Sequence, residues 1–428
     1  MHSYRLSRRL RGMSHARRFG TAVIVLALAG SAACNSLLTV DNPGRVPAEA
    51  LDDPALIPIL EAASIQQFQC AFAQFVATGS MLSGEELSAN GFVDNHPWEW
   101  RGEQEIKNAP GSCPASRATT SMGFYTPLQQ ARFQLDDAAS RVEKFSDAEV
   151  PNRTRILAEM RAYAGYAYLL LGEGMCQMTV DNGPPMTKAD VYKIAEQRFS
   201  DAIGLATAPA DASLKNMALV GRARARLDLG DMAGAAADAA LVPAGFVRNA
   251  EFSETTPARE NRVYNLTVRN DYLSTGPDYR GLTVNGVADP QVKVKDMGRK
   301  GSDNVTEIWQ QQKFTGSGAV SLPIASWNEA QLILAEATGG QAAIDAMNRV
   351  RAANGVPALV ADPSSDLEPI ILEERRRQLF LEGQRYADML RKNLPFVTGV
   401  NRKGQTFGSV TCVPLPNVET QNNPNFKS

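Results

Sequence analysis

Over most of this chain the apolar positions recur at helical rather than alternating spacing. From Asp53 onward, Ile57, Leu60, Ile65, Phe68, Phe72 and Phe75 predict a helix. "PLQQARFQLDDAASRVEKF" and "RTRILAEMRAYAGYAYLLLGEG" read as a helical pair, with Gly172 and Gly174 as stop signals. "KADVYKIAEQRFSDAIGLA" precedes "LKNMALVGRARARLDLGDMAGAAADAALVP", in which Leu227, Gly230, Asp231, Ala235 and Pro243 stand where a tetratricopeptide-like helix-turn-helix repeat wants them. "SWNEAQLILAEATGGQAAIDAMNRVRAANG" repeats the device, with Gly339-Gly340 at the turn. Such hairpins bury their apolar faces only against neighbours. The expected class is all-α, mostly helical: a tetratricopeptide-like helical-hairpin solenoid body with long loop and short-strand insertions.

Two stretches break the pattern. Residues 79–120 and 243–325 are rich in Gly, Pro, Asn, Ser and Thr, and "RVYNLTVRN" and "NVTEIWQQQKF" within the second read as short strands. Loops of that length in a compact protein are usually functional or disordered, which makes these the expected ligand-facing part. The layout that follows is a helical body at 53–242 and 326–392, the two insertions, and a C-terminal tail at 393–428, all within one domain spanning 34–428.

The N-terminus sets the compartment. Residues 1–18 carry six arginines and no acid, and the apolar run "FGTAVIVLALAG" follows. This is the n-region and h-region of an export signal, too short to span a membrane. Small residues then abut Cys34, which fits a lipoprotein signal at 1–33 with Cys34 lipidated after cleavage; an ordinary secretory signal is the alternative, and the pairs Arg8-Arg9 and Arg17-Arg18 leave twin-arginine export open. The 44 basic and 46 acidic residues of the whole chain become 38 and 46 once the signal is gone, a formal charge of −8 that argues against a nucleic-acid partner.

Of three histidines only His96 lies beyond the signal, so zinc sites with several His ligands have too few of them, and a catalytic triad would have to use His96. No Walker loop, Rossmann fingerprint or nucleophile elbow occurs, and no cofactor or metal is expected. Paired carboxylates for polysaccharide cleavage stay open, with Glu85, Glu86, Glu99 and Glu103 as candidates. Cys70, Cys113, Cys176 and Cys412 suggest two disulfides in an oxidising compartment, with three connectivities open. A bridge to Cys412 would tie the tail to the body and stabilise it by ~4 kcal/mol on the loop-entropy argument.

The C-terminal third carries a recognisable pattern. Ala335-Glu336-Ala337, Asn348-Arg349-Val350-Arg351, Glu374-Arg375 and the run from Glu382 through Gly383, Arg385 and Asp388 resemble the SusD/RagB family of outer-membrane nutrient-uptake lipoproteins. "CNSLLTVDNP", "MRAYAGYAYLLLGEG" and "VPLPNVETQNNPNF" are similar to that family's mature N-terminus, Arg-Ala-Tyr helix and tail. The pattern departs at Gln378, where an acid is usual, and at Lys392, where an aromatic is usual. The resemblance implies a protein lipid-anchored on the outer face of the outer membrane, capping a TonB-dependent barrel of the SusC type. Such a protein delivers glycans, peptides or other nutrients and does not cleave them. A protein-binding helical-repeat scaffold is a further alternative.

A glycan ligand calls for exposed aromatic faces beside carboxylates, amides and arginines. "NHPWEWRGEQE" is the best cluster: Trp98 and Trp100 would project to one side of an extended segment, with His96, Glu99 and Arg101 beside them, the alternative being that one or both tryptophans anchor the loop on the helical body; Trp309 and Tyr279 are weaker candidates. Arg351, Glu374, Arg375, Glu382, Gly383, Arg385 and Asp388 are expected to be structural. On a single helix over Leu372–Lys392, Leu372, Leu379, Gly383, Tyr386 and Leu390 would form one buried stripe, and Glu373–Arg377 and Asp388–Lys392 would be surface pairs.

Overall fold

A computed structural model of the chain describes residues 48–114, 116 and 121–426. The predicted signal at 1–33 and Cys34 lie outside the described residues. Two compact units divide the chain, Met1–Asp53 and Pro54–Ser428; the described part of the first is a 3-10 turn, Ala48–Asp52.

The second unit is built from helices in sequence order: α1 (Ile57–Ser83), the short α2 (His96–Trp100) and α3 (Glu103–Asn108), α4 (Tyr125–Val142), α5 (Arg153–Gly174), α6 (Lys188–Leu205), α7 (Ala212–Leu229), α8 (Met232–Ala239), α9 (Trp327–Thr338), α10 (Gly340–Ala353), α11 (Glu368–Gln378) and α12 (Arg385–Arg391). From α4 to α8 each helix packs on the next, α9 packs on α8 and on α10, and α12 returns to α1 and α5. The repeat-like turns fall where the glycines predicted them. Gly230 closes α7 at φ +80° and the Asp231 side chain accepts from Gly234 N to start α8, while Gly339 and Gly340, both at positive φ, separate α9 from α10. Around Phe199 glycine permits a close approach. A Cβ on Gly165 would lie 2.7 Å and one on Gly221 2.3 Å from the Phe199 ring, so α5 and α7 clamp that ring of α6 from both sides. Phe68 meets Tyr163 at 5.2 Å and Tyr166 meets Phe199 at 4.9 Å, both edge-on, which carries one aromatic core from α1 through α6.

The strands are short and antiparallel: β1 (Glu86–Ser88) with β3 (Leu273–Thr275), β2 (Val247–Ala250) with β6 (Leu322–Ser326), and β4 (Val294–Lys300) with β5 (Glu307–Gln311). "EIWQQ" is thus a strand, as expected, whereas "RVYNLTVRN" is not: it forms a helical turn at Arg262–Tyr264 continued by a π turn at Asn265–Arg269. Asn261 accepts from Tyr264 N and starts that turn, so a local side-chain cap overrides the β-branched composition. The first insertion also begins later than expected, because α1 runs to Ser83.

The predicted single helix Leu372–Lys392 is two. The chain breaks between α11 and α12, with Leu381 at φ +57° and Gly383 at φ +79°. Gly383 sits there against α1, where an added Cβ would lie 3.2 Å from Val76 Cγ2. The four cysteines pair as Cys70–Cys113 and Cys176–Cys412, so the second bridge ties the tail to the chain just after α5. Among the described residues no helix is long and apolar enough to cross a membrane.

Candidate functional site

Three loop-rich stretches converge on the side of β1 and β3: the segment from Glu85 to Arg101, the segment around β3–β5, and the tail near Arg402. Backbone pairing of β1 with β3 begins the assembly. The Ser274 hydroxyl, donating to Glu307 O at 2.7 Å and accepting from Trp309 N at 2.9 Å, then joins β3 to β5. Arg402 locks the tail in place. Its guanidinium donates to both oxygens of Glu99, to Ser88 O and, at 2.6 Å, to Thr306 Oγ1, and Ser88 N donates to Glu99 Oε2 at 2.7 Å. Lys403 pairs with Asp303 at 2.8 Å and donates to Asn90 O at 3.0 Å; its ammonium lies 3.3 Å from His96 Nε2, which is itself 2.6 Å from Asn90 O.

This geometry revises the tryptophan cluster. Residues 96–100 are helical, not extended, so Trp98 and Trp100 do not share a face. Trp98 is 1% exposed and packs near the Phe124 ring. Trp100 lies against Gly102, where an added Cβ would come within 2.7 Å of its ring, and its carbonyl accepts from Gly408 N. Glu99 is closed off by Arg402. Arg101 is buried between the Phe396 and Phe407 rings and donates to Val397 O and Gly408 O. Glu99, Arg101 and the Trp100 carbonyl hold the tail, while Trp98 is buried in the body and Trp100 is half-buried, so the pair does not form a displayed aromatic face.

Other aromatics take the outer position. Phe92, 40% exposed, meets the half-buried Tyr272 edge-on at 5.1 Å. Trp309 is half-buried with the Arg280 guanidinium over its ring at 5.2 Å. The Arg299–Asp271 ion pair stands beside Tyr272 in the chain, exposed at its Arg299 end. Phe92, Tyr272, Arg280, Arg402 and Lys403 were missed by sequence reading. The exposed "GFV" at 91–93 was the one available signal.

The carboxylates proposed for catalysis do not form a free pair. Glu85 and Glu86 are both buried, Glu99 is held by Arg402, and Glu103 pairs with Lys107 on the surface at 2.6 Å. Burial pushes the Glu85 carboxyl up to about 7, against the pull of Leu381 N and Arg385, and lifts Glu86 well above its ordinary value.

The signature residues assemble a second polar centre. Arg375, 2% exposed, binds both oxygens of Asp388 at 2.8 and 2.9 Å. Arg391 joins Asp388 at 2.9 Å and also Glu336 and Asp228. Arg351 pairs with Glu374 at 2.6 Å, and Glu382 with Lys313 at 2.6 Å. Asp388 is therefore not the surface partner of Lys392 that the spacing suggested; Lys392 pairs with Glu336 and Glu368. The Glu373–Arg377 pair does form, at 2.6 Å. Burial would raise the Asp388 carboxyl, but Arg375 and Arg391 hold it down at about 2.

The fold is a helical-repeat body with loop insertions on one side, and known proteins share it. A SusD-like carbohydrate-binding protein from Bacteroides vulgatus superimposes with a TM-score of 0.65 at 14% identity, over 87% of this chain and 97% of that one. Surface glycan-binding protein A from Bacteroides thetaiotaomicron, solved with laminarihexaose, gives 0.64 at 13% over 87% and 98%. A laminarin-binding SusD-like protein gives 0.60 at 16% over 84% and 96%. No curated protein matches the chain in sequence. The SusD family model matches residues 327–428. The family model thus matches the C-terminal part of the chain, and the chain as a whole has the fold of SusD-like proteins.

Proposed function

We propose that the protein is a cell-surface glycan-binding lipoprotein, anchored through Cys34, that captures an oligosaccharide and delivers it to a TonB-dependent SusC-like barrel without cleaving it. The observation that carries the reading is a fold shared over 87% of the chain with a protein whose structure holds laminarihexaose. The outer aromatics agree with it: Phe92, Tyr272 and Trp309 offer rings for sugar C–H groups, and Arg280 and the Arg299–Asp271 pair offer partners for hydroxyls. A hydrolase working by two carboxylates needs both to face one substrate, and Glu85, Glu86, Glu99 and Glu103 do not provide that pair. Isothermal titration of the mature chain against a panel of neutral oligosaccharides, beginning with β-1,3-glucans, together with a reducing-end assay on the same mixtures, tests the reading. Saturable binding without new reducing ends is expected; binding to none of the panel, or turnover, overturns it. Co-purification of a barrel protein from outer membranes with the tagged chain tests delivery, and a tagged chain recovered alone would count against that step.

A further inference from the structure

One arginine of the signature segment is built differently from the rest. Arg375, Arg376, Arg377 and Arg391 each have at least one carboxylate partner. Arg385, half-buried at the first position of α12, makes neither a hydrogen bond nor an ion pair with the described residues. It lines a pocket of about 280 Å³ together with Ser83, Asp278, Tyr279 and Arg376. Tyr279 is 3% exposed, and its hydroxyl has the Arg376 guanidinium as a polar neighbour but no well-formed hydrogen bond among the described residues. Its ring is fixed from two sides, stacked on Phe380 at 4.8 Å and covered by the Arg376 guanidinium at 4.8 Å. Arg376 is itself held by Glu373 at 2.7 Å and by Asp278 O at 2.9 Å.

A buried hydroxyl with only the Arg376 guanidinium beside it, and a half-buried guanidinium that meets no carboxylate directly, are both costly unless something outside the chain completes them. Both can donate, and a guanidinium matches a planar carboxylate with two parallel bonds. The acids nearby do not cancel this character. Asp278 is exposed, and the Glu85 carboxyl, which feels Arg385, is pushed up to about 7 by burial and so carries only part of its charge near neutrality.

We propose that this pocket is a carboxylate-recognition subsite, in which Arg385 and the Tyr279 hydroxyl bind the acid group of a uronic-acid residue. The proposal deepens the glycan-capture reading and rests on it for the sugar. The pocket's volume, just below the usual range for ligand cavities, suits one sugar ring or its substituent.

The test is titration of the mature chain with sodium glucuronate, glucose and inorganic sulfate at low salt, using wild type, Arg385→Gln and Tyr279→Phe. Saturable glucuronate binding, at least tenfold weaker in Arg385→Gln, several-fold weaker in Tyr279→Phe and weakened by added salt, is expected, with no saturation by glucose. Because Arg385 has no direct hydrogen bond or ion pair to lose, only its longer-range pull on the Glu85 carboxyl, and Phe keeps the Phe380 stack, both variants should melt within a few degrees of wild type. Equal glucuronate affinity in wild type and Arg385→Gln, equal binding of glucose, or sulfate binding without glucuronate binding overturns the proposal. Failure of every neutral oligosaccharide with glucuronate still bound would overturn neutral-glycan capture and leave the pocket; the reverse pattern would do the opposite.

Discussion

Two polar centres in this protein handle buried charge in opposite ways. At the signature helices, Arg375, Arg391, Asp388 and Glu336 form a closed set in which cation and anion alternate, and Asp388 is held at about 2. Beside β1, the acids Glu85 and Glu86 are buried with mostly neutral partners, and burial lifts both. The first arrangement serves the joint between α9, α11 and α12. The second lies under the loop-rich face where the insertions meet. Charges that hold the joint are paired with opposite charges, and the acids beneath a face with exposed aromatics have mostly neutral partners.

The largest effect should come from opening the closed set. Asp388→Ala leaves Arg375 and Arg391 short of a shared carboxylate in a desolvated site, at a cost of about 3–5 kcal/mol. Urea unfolding measures this, and a loss under 1 kcal/mol would break the distinction between the two centres. Oligosaccharide affinity of the folded fraction should stay at the wild-type value.

Next in size is the tail. Cys176→Ser with Cys412→Ser removes a bridge of sequence separation 236 and should cost about 2–4 kcal/mol. The loop-rich face depends on Arg402 and Gly408 of that tail, so the double variant should also expose Trp98 and Trp100. A red shift of tryptophan emission without global unfolding would report that step; unchanged emission and unchanged stability would show that Arg402 alone holds the tail.

These two regions were unequally legible in the sequence. Helical periodicity and the glycine turns at Gly230 and Gly339 report local backbone needs, so the repeat body could be read directly. Cysteine count implied two bridges but not their partners, since pairing is a property of the folded chain. The tryptophan cluster misled for a physical reason. Residues 95–100 start a helix, with Pro97 in its first turn, and that rotates Trp98 into the core. Arg402, more than three hundred residues from Glu99, had no local signal at all. The break between α11 and α12 was marked only by Gly383, which periodicity alone placed on a continuous stripe.

The pH response sharpens the contrast. Asp388 titrates lower in the folded chain than in the unfolded one, so its contribution is present above about pH 4 and is lost as pH falls toward 2. Glu85 titrates higher when folded, so its contribution is present below about pH 4.5 and is lost as pH rises through 7. Glu85→Gln should make the upper limb of the stability profile shallower, with Glu61 and Glu329 supplying the rest of it, and leave the lower limb unchanged, whereas Asp388→Asn should make only the lower limb shallower. Melting curves taken from pH 2 to 8 read both limbs, and identical profiles for Glu85→Gln and wild type would remove Glu85 from the account.

The smallest stability effect is expected at the outer aromatics, and it is the most informative about function. Phe92 already spends part of its ring in water, so Phe92→Ala should change unfolding free energy by no more than about 1 kcal/mol. Trp309→Ala should cost little more, since its ring is half-buried and its main partner across the face is a single guanidinium. If these rings stack on sugar, each variant should weaken neutral oligosaccharide binding at least tenfold while Trp98→Ala, a core deletion, lowers stability by about 3–5 kcal/mol. Wild-type affinity in both Phe92→Ala and Trp309→Ala would move the binding surface away from β5 and the 91–93 loop, and would leave the carboxylate pocket beside α12 as the site to test next.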